Sequence, residues 1–167
     1  MASEKRPKKV DILGFVSFGF FLILVGVIFI NTPNLTEEIQ NFFTDFDLVE
    51  VFPNILLPAP RNHPVIYTAV AEFSFAFGLF QIVLLALRFI AKDTLSRKAE
   101  TFSSIFFWLG MGLGFNMLAA EQIGWFALVA WFIIFVGLSI VIRSLTVLLL
   151  KSHRKPQKAE IQPPTQV

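Results

Sequence analysis

Long, mostly apolar runs alternate with short polar segments along the chain, and this alternation predicts four membrane-spanning helices. A helix rises about 1.5 Å per residue, so about 20 apolar residues cross a hydrocarbon core of about 30 Å. The runs that approach or exceed this length cover residues 12–30, 65–91, 102–120 and 124–150. The pattern therefore predicts an all-α integral membrane protein with four antiparallel transmembrane helices.

The first apolar run follows a basic segment, as the apolar part of a signal peptide does. However, it is longer than the usual apolar part of about 7–15 residues, and no small-residue cleavage site follows it. The residues that follow are Asn31, Thr32 and Pro33, which favour the end of a helix. We therefore expect residues 12–30 to be a retained first helix.

The basic residues indicate how the helices are oriented, because cytoplasmic loops are enriched in Lys and Arg. The N-terminus, the link between the second and third spans, and the C-terminal tail are all basic, whereas Arg61 is the only Lys or Arg of residues 31–64. This predicts a cytoplasmic basic N-terminus at 1–11, a transmembrane domain at 12–150 and a disordered cytoplasmic tail at 151–167. An ordinary cell membrane is the expected location. Arg88 and Arg143 lie near the inner helix ends, where long side chains can extend to the headgroups.

Residues 31–64 form the only sizeable segment between spans, and we place it outside the cytoplasm. Its first part has apolar residues at helical spacing, which predicts a short amphipathic helix; these residues are Leu35, Ile39, Phe42, Phe43 and Phe46. The next part, residues 48–60, is apolar and contains three prolines. We expect it to be an extended proline-rich strap against the bundle, acting as a connector or, alternatively, as a lid or docking edge.

Small residues at heptad spacing mark faces at which membrane helices pack closely. In the second span this seam predicts contacts at Ala71 and Gly78, and it also contains Tyr67, Ser74, Gln81, Leu85 and Arg88. The third span contains the GxxxG pair Gly110 and Gly114. These glycines favour close packing, although a hinge or a homodimer through the third span is an alternative.

The fourth span has a similar seam that centres on Gly137, and the first span has a weaker one. The fourth-span seam is formed by Ala127, Ala130, Ile134, Gly137, Val141 and Ser144. In the first span, Gly19 and Gly26 lie seven residues apart. We expect Gly137 to be a helix contact within the bundle.

Glu72 is the one acidic residue well inside a span, about two turns from its outer end. Intramembrane carboxylates are rare and are candidates for functional sites. Thr68 lies one turn away on the same face, and Asn116 and Glu121 fall at similar or higher levels of the third helix. These residues form the candidate polar site. It is either a proton or cation site in an outward cavity, or a protonated carboxyl that ties helices together.

Composition and charge exclude several classes of functional site. The sequence has no cysteine, which excludes thiolate metal sites and cysteine nucleophiles. The two histidines, His63 and His153, lie on opposite sides of the predicted bundle, so we predict no metal site, and no motif indicates a cofactor. The net charge of +2 does not indicate nucleic-acid binding.

We therefore expect a non-enzymatic subunit, or an assembly or scaffold component, of a membrane complex. Its expected partners are the lipid bilayer and either another membrane protein or further copies of itself. The alternative is a small ion, proton-coupled or solute transporter that uses Glu72. A membrane enzyme is the third choice, because we find no catalytic motif.

Overall fold

The computed structural model describes residues 11–152. The predicted basic N-terminus and C-terminal tail fall outside these residues, apart from Asp11 and residues 151–152. Within the described part the chain forms the elements α1 (Ile12–Asn31), α2 (Leu35–Thr44), β1 (Phe46–Phe52), β2 (Ile55–Pro60), α3 (Pro64–Ile90), α4 (Leu95–Ala119) and α5 (Trp125–Ser152). Four of them, α1, α3, α4 and α5, are long and apolar enough to cross a membrane. The protein is a helical membrane protein.

Local sequence explains where the long helices begin. Asp11 caps α1, because its Oδ1 accepts a 3.0 Å hydrogen bond from the Gly14 N–H. Pro64 occupies the first turn of α3, where no hydrogen bond needs its missing N–H. Helix α4 begins at Leu95, well before the apolar run from 102. This extension includes Arg97, Lys98, Ala99 and Glu100, which are all good helix formers.

Glycines allow α4 to pack closely between α3 and α5. A Cβ added at Gly112 would lie 2.8 Å from the Phe75 ring of α3, and one added at Gly110 would overlap the Phe135 ring of α5. Residues two apart in a helix point in nearly opposite directions, so these two glycines serve different neighbours. Gly114 faces α5 as well, with Trp131 2.8 Å from the position of an added Cβ. The GxxxG pair is therefore used within the chain.

The seam of α3 also lies inside the bundle. Tyr67, Ala71 and Ser74 are each at most 2% exposed, and Gly78 is buried. A Cβ at Gly78 would lie 2.8 Å from Leu109 of α4. The small residues of α3 and the glycines of α4 thus bring these two helices together.

The packing face of α5 differs from the one that the sequence predicted. Large residues (Leu128, Trp131 and Phe135) pack against α4, whereas Gly137 is exposed and has no atom within 4 Å of an added Cβ. The prediction was wrong because a glycine on one helix can receive a large side chain from the other. Since α4 supplies the glycines, α5 needs no small residues there. The face formed by Ala127, Ala130, Ile134, Gly137, Val141 and Ser144 is exposed along its whole length, and we call it the open face of α5.

Aromatic residues, not glycines, attach α1 to the bundle. The rings of Phe20 and Phe80 stack with a centroid distance of 3.8 Å, and Phe21 meets Phe73 edge-on at 5.2 Å. Gly19 and Gly26 have no atom within 4 Å of an added Cβ. The weak glycine seam of α1 is therefore not a contact within the described chain.

The segment predicted as an extended strap is a β-hairpin, so the fold is not purely α-helical. Strands β1 and β2 pair antiparallel, with Val49 opposite Leu57. The chain turns at Asn54, whose φ of 64° lies in the left-handed region that Asn tolerates. Pro58 lacks an N–H, but each strand of a two-stranded sheet has a free edge where this is tolerated. The prolines that exclude a helix therefore did not exclude a sheet.

Candidate functional site

The Glu72 side chain is exposed and points away from the packed side of the bundle. It lies roughly 12 Å along α3 from the start of the helix, at about 1.5 Å per residue. It lines a groove of about 370 Å³ between the end of α1 and the start of α3, and Thr68 lines the same groove. Among the described residues the carboxylate has no hydrogen-bond or ion-pair partner. An isolated charge at membrane depth costs about 2.5–3.5 kcal/mol at a helix centre. Glu72 therefore needs protonation, water or a partner from outside the described chain.

Asn116 and Glu121 do not join Glu72. Glu121 accepts a hydrogen bond from the Asn62 side chain and lines a separate hollow of about 390 Å³. Asn116 is exposed and lines neither hollow. The reason is rotational: Ala71 of α3 is buried on the packed side, and the next residue is turned about 100° away from it. The predicted site is thus reduced to Glu72 and Thr68.

The basic side chains nearest to Glu72 in sequence are engaged elsewhere. Arg61 forms ion pairs with Asp47 at 2.7 Å and Asp45 at 3.2 Å. His63 is buried, and its Nδ1 lies 3.4 Å from Glu38 of α2. The hydrogen bond from Arg61 holds the pKa of the Asp47 carboxyl below its usual value. These contacts hold the loop in place and do not neutralise Glu72.

An aromatic cluster seats α2 on the ends of α3 and α5. The Phe42 ring lies 5.7 Å from the rings of His63 and Trp125 and 6.5 Å from that of Tyr67. The Tyr67 hydroxyl donates a 3.0 Å hydrogen bond to the Arg61 carbonyl oxygen. Edge-to-face contacts of this kind stabilise packed aromatic rings. The first loop is therefore an ordered cap at this end of the bundle.

Beside the cap lies a third hollow, of about 380 Å³, between α1, α2 and α3. Its walls are apolar and largely aromatic. Phe21 of α1 and Phe73 of α3 line the part towards the middle of the bundle, and Phe42 and Phe43 of α2 line the part under the cap. It and the groove of Glu72 share Ala69. This cleft can hold apolar groups, but it offers no acid or base for chemistry.

At the opposite end, an ion-pair cluster joins three helices. Arg88 of α3 lies 2.8 Å from Asp93 and 3.7 Å from Asp11, which precedes α1. Arg97 of α4 lies 3.3 Å from Asp93 and 3.6 Å from Asp11. Burial alone would raise the pKa of Asp93, but the Thr94 N–H and the charges of Arg97 and Arg88 outweigh burial and leave the pKa below its usual value. We call this the basic end of the bundle.

The cluster corrects the prediction that Arg88 extends to the headgroups. The Arg88 side chain is only 8% exposed, whereas Arg143 is 50% exposed and lies 4.0 Å from Glu100. The signal that sequence reasoning missed was the aspartates, Asp11 and Asp93, at the ends of helices that must meet. Buried ion pairs rarely add much stability, but they fix geometry, and loss of one partner is costly.

Within residues 11–152 no group of three or more His, Cys, Asp or Glu side chains could hold a metal ion. No protein-family model, curated protein or solved structure matches the chain.

Proposed function

We propose that the protein is a non-enzymatic subunit of a membrane complex and that a helix of a neighbouring chain packs on the open face of α5. The observation that carries the proposal is the contrast between two seams. Both run at heptad spacing through small residues, but the seam of α3 is buried against α4, whereas that of α5 is exposed throughout. Membrane helices associate through such small-residue faces.

The composition of the open face fits a helix partner. Gly137 lies near its middle and leaves space for close approach, since nothing lies within 4 Å of an added Cβ. Ile134 and Val141, 62% and 52% exposed, flank it as apolar knobs. The Ser144 hydroxyl donates a 2.9 Å hydrogen bond to the Ile140 carbonyl oxygen, so it presents no unsatisfied polar group.

We further propose that both chain ends lie in the cytoplasm, that successive spans alternate in direction, and that the capped end lies outside. The excess of Lys and Arg on one side supports this orientation. In this arrangement the hairpin and α2 are available to a partner outside the membrane. Two apolar residues of the hairpin, Leu48 and Leu56, are 68% and 56% exposed, which suits a contact of this kind.

The alternative of a carrier that uses Glu72 has one supporting observation, the groove beside the carboxylate. No polar path continues from this groove across the membrane, because the polar side chains deeper in α3 already form hydrogen bonds within the described chain. The Ser74 hydroxyl donates to the Val70 carbonyl oxygen at 2.7 Å, and Gln81 donates to Ser17 at 3.4 Å. The subunit proposal therefore takes precedence.

Native mass spectrometry of the full chain, purified gently from its own membrane, tests the proposal. We expect a second chain at fixed stoichiometry, whether a different protein or another copy. Gly137→Leu should abolish this association, whereas Gly26→Leu on α1, which is equally free of neighbours, should preserve it. A protein that is monomeric in its own membrane would contradict the proposal, and flux assays with Glu72→Gln would then test the carrier.

A further inference from the structure

The basic end carries a groove that is separate from Glu72 and from the open face of α5. It measures about 290 Å³ and lies where α3, α4 and α5 adjoin. Its walls are Leu85 and Phe89 of α3, Lys98 and Phe102 of α4, and Thr146 and Leu149 of α5. The Thr146 hydroxyl donates a 2.7 Å hydrogen bond to the Ile142 carbonyl oxygen, so the wall it presents is effectively apolar. Lys98 supplies the one ionic group of this lining.

The charges at this end are unevenly matched. Arg88, Arg97 and Arg143 each have a carboxylate within 4.0 Å. Across the part of the chain that the structure describes, no carboxylate lies that close to Lys92 or Lys98. The ammonium group of Lys98 instead lies 4.4 Å from the centroid of the Phe89 ring. A cation–π contact leaves the charge free to meet an anion.

We propose that this groove binds one anionic glycerophospholipid of the surrounding leaflet, with an acyl chain between Leu85 and Phe102 and the phosphate on Lys98. The occupant follows from complementarity, because the groove offers apolar walls below a single unmatched cation. Basic pockets between membrane helices bind anionic lipid headgroups in this way. The volume lies near the lower limit of about 300 Å³ for small-molecule pockets, so it suits one chain and not a whole lipid.

The lipid would stabilise the contact of α5 with the other helices at this end, because the acyl chain would touch all three. It would also make the protein sensitive to the anionic lipid content of its membrane. This role does not depend on the subunit proposal, since the groove lies within one chain.

The test compares lipid binding by the purified full-length protein, measured by native mass spectrometry with phosphatidylglycerol and phosphatidylcholine of identical acyl chains. Loss of one lysine contact at the membrane surface corresponds to about a fivefold change in affinity. We expect Lys98→Gln to weaken phosphatidylglycerol binding about fivefold and phosphatidylcholine binding less, because the choline cation offsets the phosphate charge of phosphatidylcholine. Lys98→Arg should retain the preference for the anionic lipid.

Two further variants locate the site. Lys92→Gln removes the same charge from the same end without lining the groove, and it should bind phosphatidylglycerol as the unaltered protein does. Thr146→Phe fills the groove and should weaken the binding of both lipids, with its fold checked by circular dichroism. The proposal is overturned if Lys98→Gln binds like the unaltered protein, if Lys92→Gln loses as much as Lys98→Gln, or if folded Thr146→Phe binds normally.

Discussion

The indole Nε1 of Trp131 donates a 2.8 Å hydrogen bond to the carbonyl oxygen of Gly110, across the contact of α4 with α5. The absence of a side chain at Gly110 lets the Phe135 ring lie against the backbone, and the same gap exposes the carbonyl to the indole. A carbonyl oxygen has two lone pairs, so it can accept this bond in addition to its helical one. One glycine thus explains both the packing and the polar link between these helices.

Gly110→Ala should destabilise the protein by about 1–3 kcal/mol, because the added Cβ would overlap the Phe135 ring and force α5 to shift. Thermal unfolding in detergent, followed by circular dichroism, measures the effect. Gly137→Ala is the matched control, since its added Cβ meets nothing within 4 Å. Equal unfolding temperatures for the two variants would refute this packing.

Trp131→Phe should destabilise the fold by about 1 kcal/mol, because the Gly110 carbonyl loses a donor while most of the aromatic contact remains. Amide hydrogen exchange at residues 128–135 should quicken as the helix contact loosens. Ile133→Val provides the comparison, since the Ile133 side chain lies in the same segment of α5 but is 65% exposed. Identical exchange in the two variants would argue against the bond.

Asp93 should make stability depend on pH in the acid range. Its pKa in the folded protein lies below the usual value of about 3.9, because the Thr94 N–H, Arg97 and Arg88 favour the charged form more than burial disfavours it. The stabilisation is therefore complete above the unfolded-state pKa and is lost as pH falls through the folded-state pKa.

We expect the difference in unfolding temperature between the unaltered protein and Asp93→Asn to be constant from about pH 7 to pH 5 and to shrink below about pH 4. Glu37→Gln is the control, since Glu37 is an exposed carboxylate of α2 with no hydrogen-bond or ion-pair partner in the described part of the chain. A difference that grew on acidification would reverse the assigned sign.

Glu72→Gln should not destabilise the fold, because the carboxylate is exposed and has no partner within the described chain. Surface changes of this kind usually alter stability by less than about 0.5 kcal/mol. The variant should also keep its partner chain in native mass spectrometry, in contrast to Gly110→Leu and Gly114→Leu, which separate helices. Loss of a measured ion flux in folded Glu72→Gln would instead favour the carrier.

The sequence was informative where one helix alone determines the outcome. The apolar runs are long enough to cross a membrane, and the small residues of α3 mark its buried side. It was misleading where two helices share a contact, because the pattern of α5 does not show that α4 already supplies Gly110 and Gly114. Asp11 and Asp93 are far apart in sequence, so their shared pairs with Arg88 depend on how the helix ends meet. The prolines at 53, 58 and 60 excluded a helix but could not distinguish a strap from a hairpin.

The most direct test of the open face of α5 is site-specific photo-crosslinking in the native membrane. Since the sequence has no cysteine, single cysteines at Ala130, Gly137 or Ile140 can each carry a benzophenone maleimide without background. Ala130 and Gly137 lie on the open face. Ile140 is equally lipid-accessible at 62% exposure, but its side chain points about 90° from the centre of that face. We expect the same protein adduct from Ala130 and Gly137 and none from Ile140. Lipid adducts alone from all three positions, or an equal protein adduct from Ile140, would contradict a partner helix on this face.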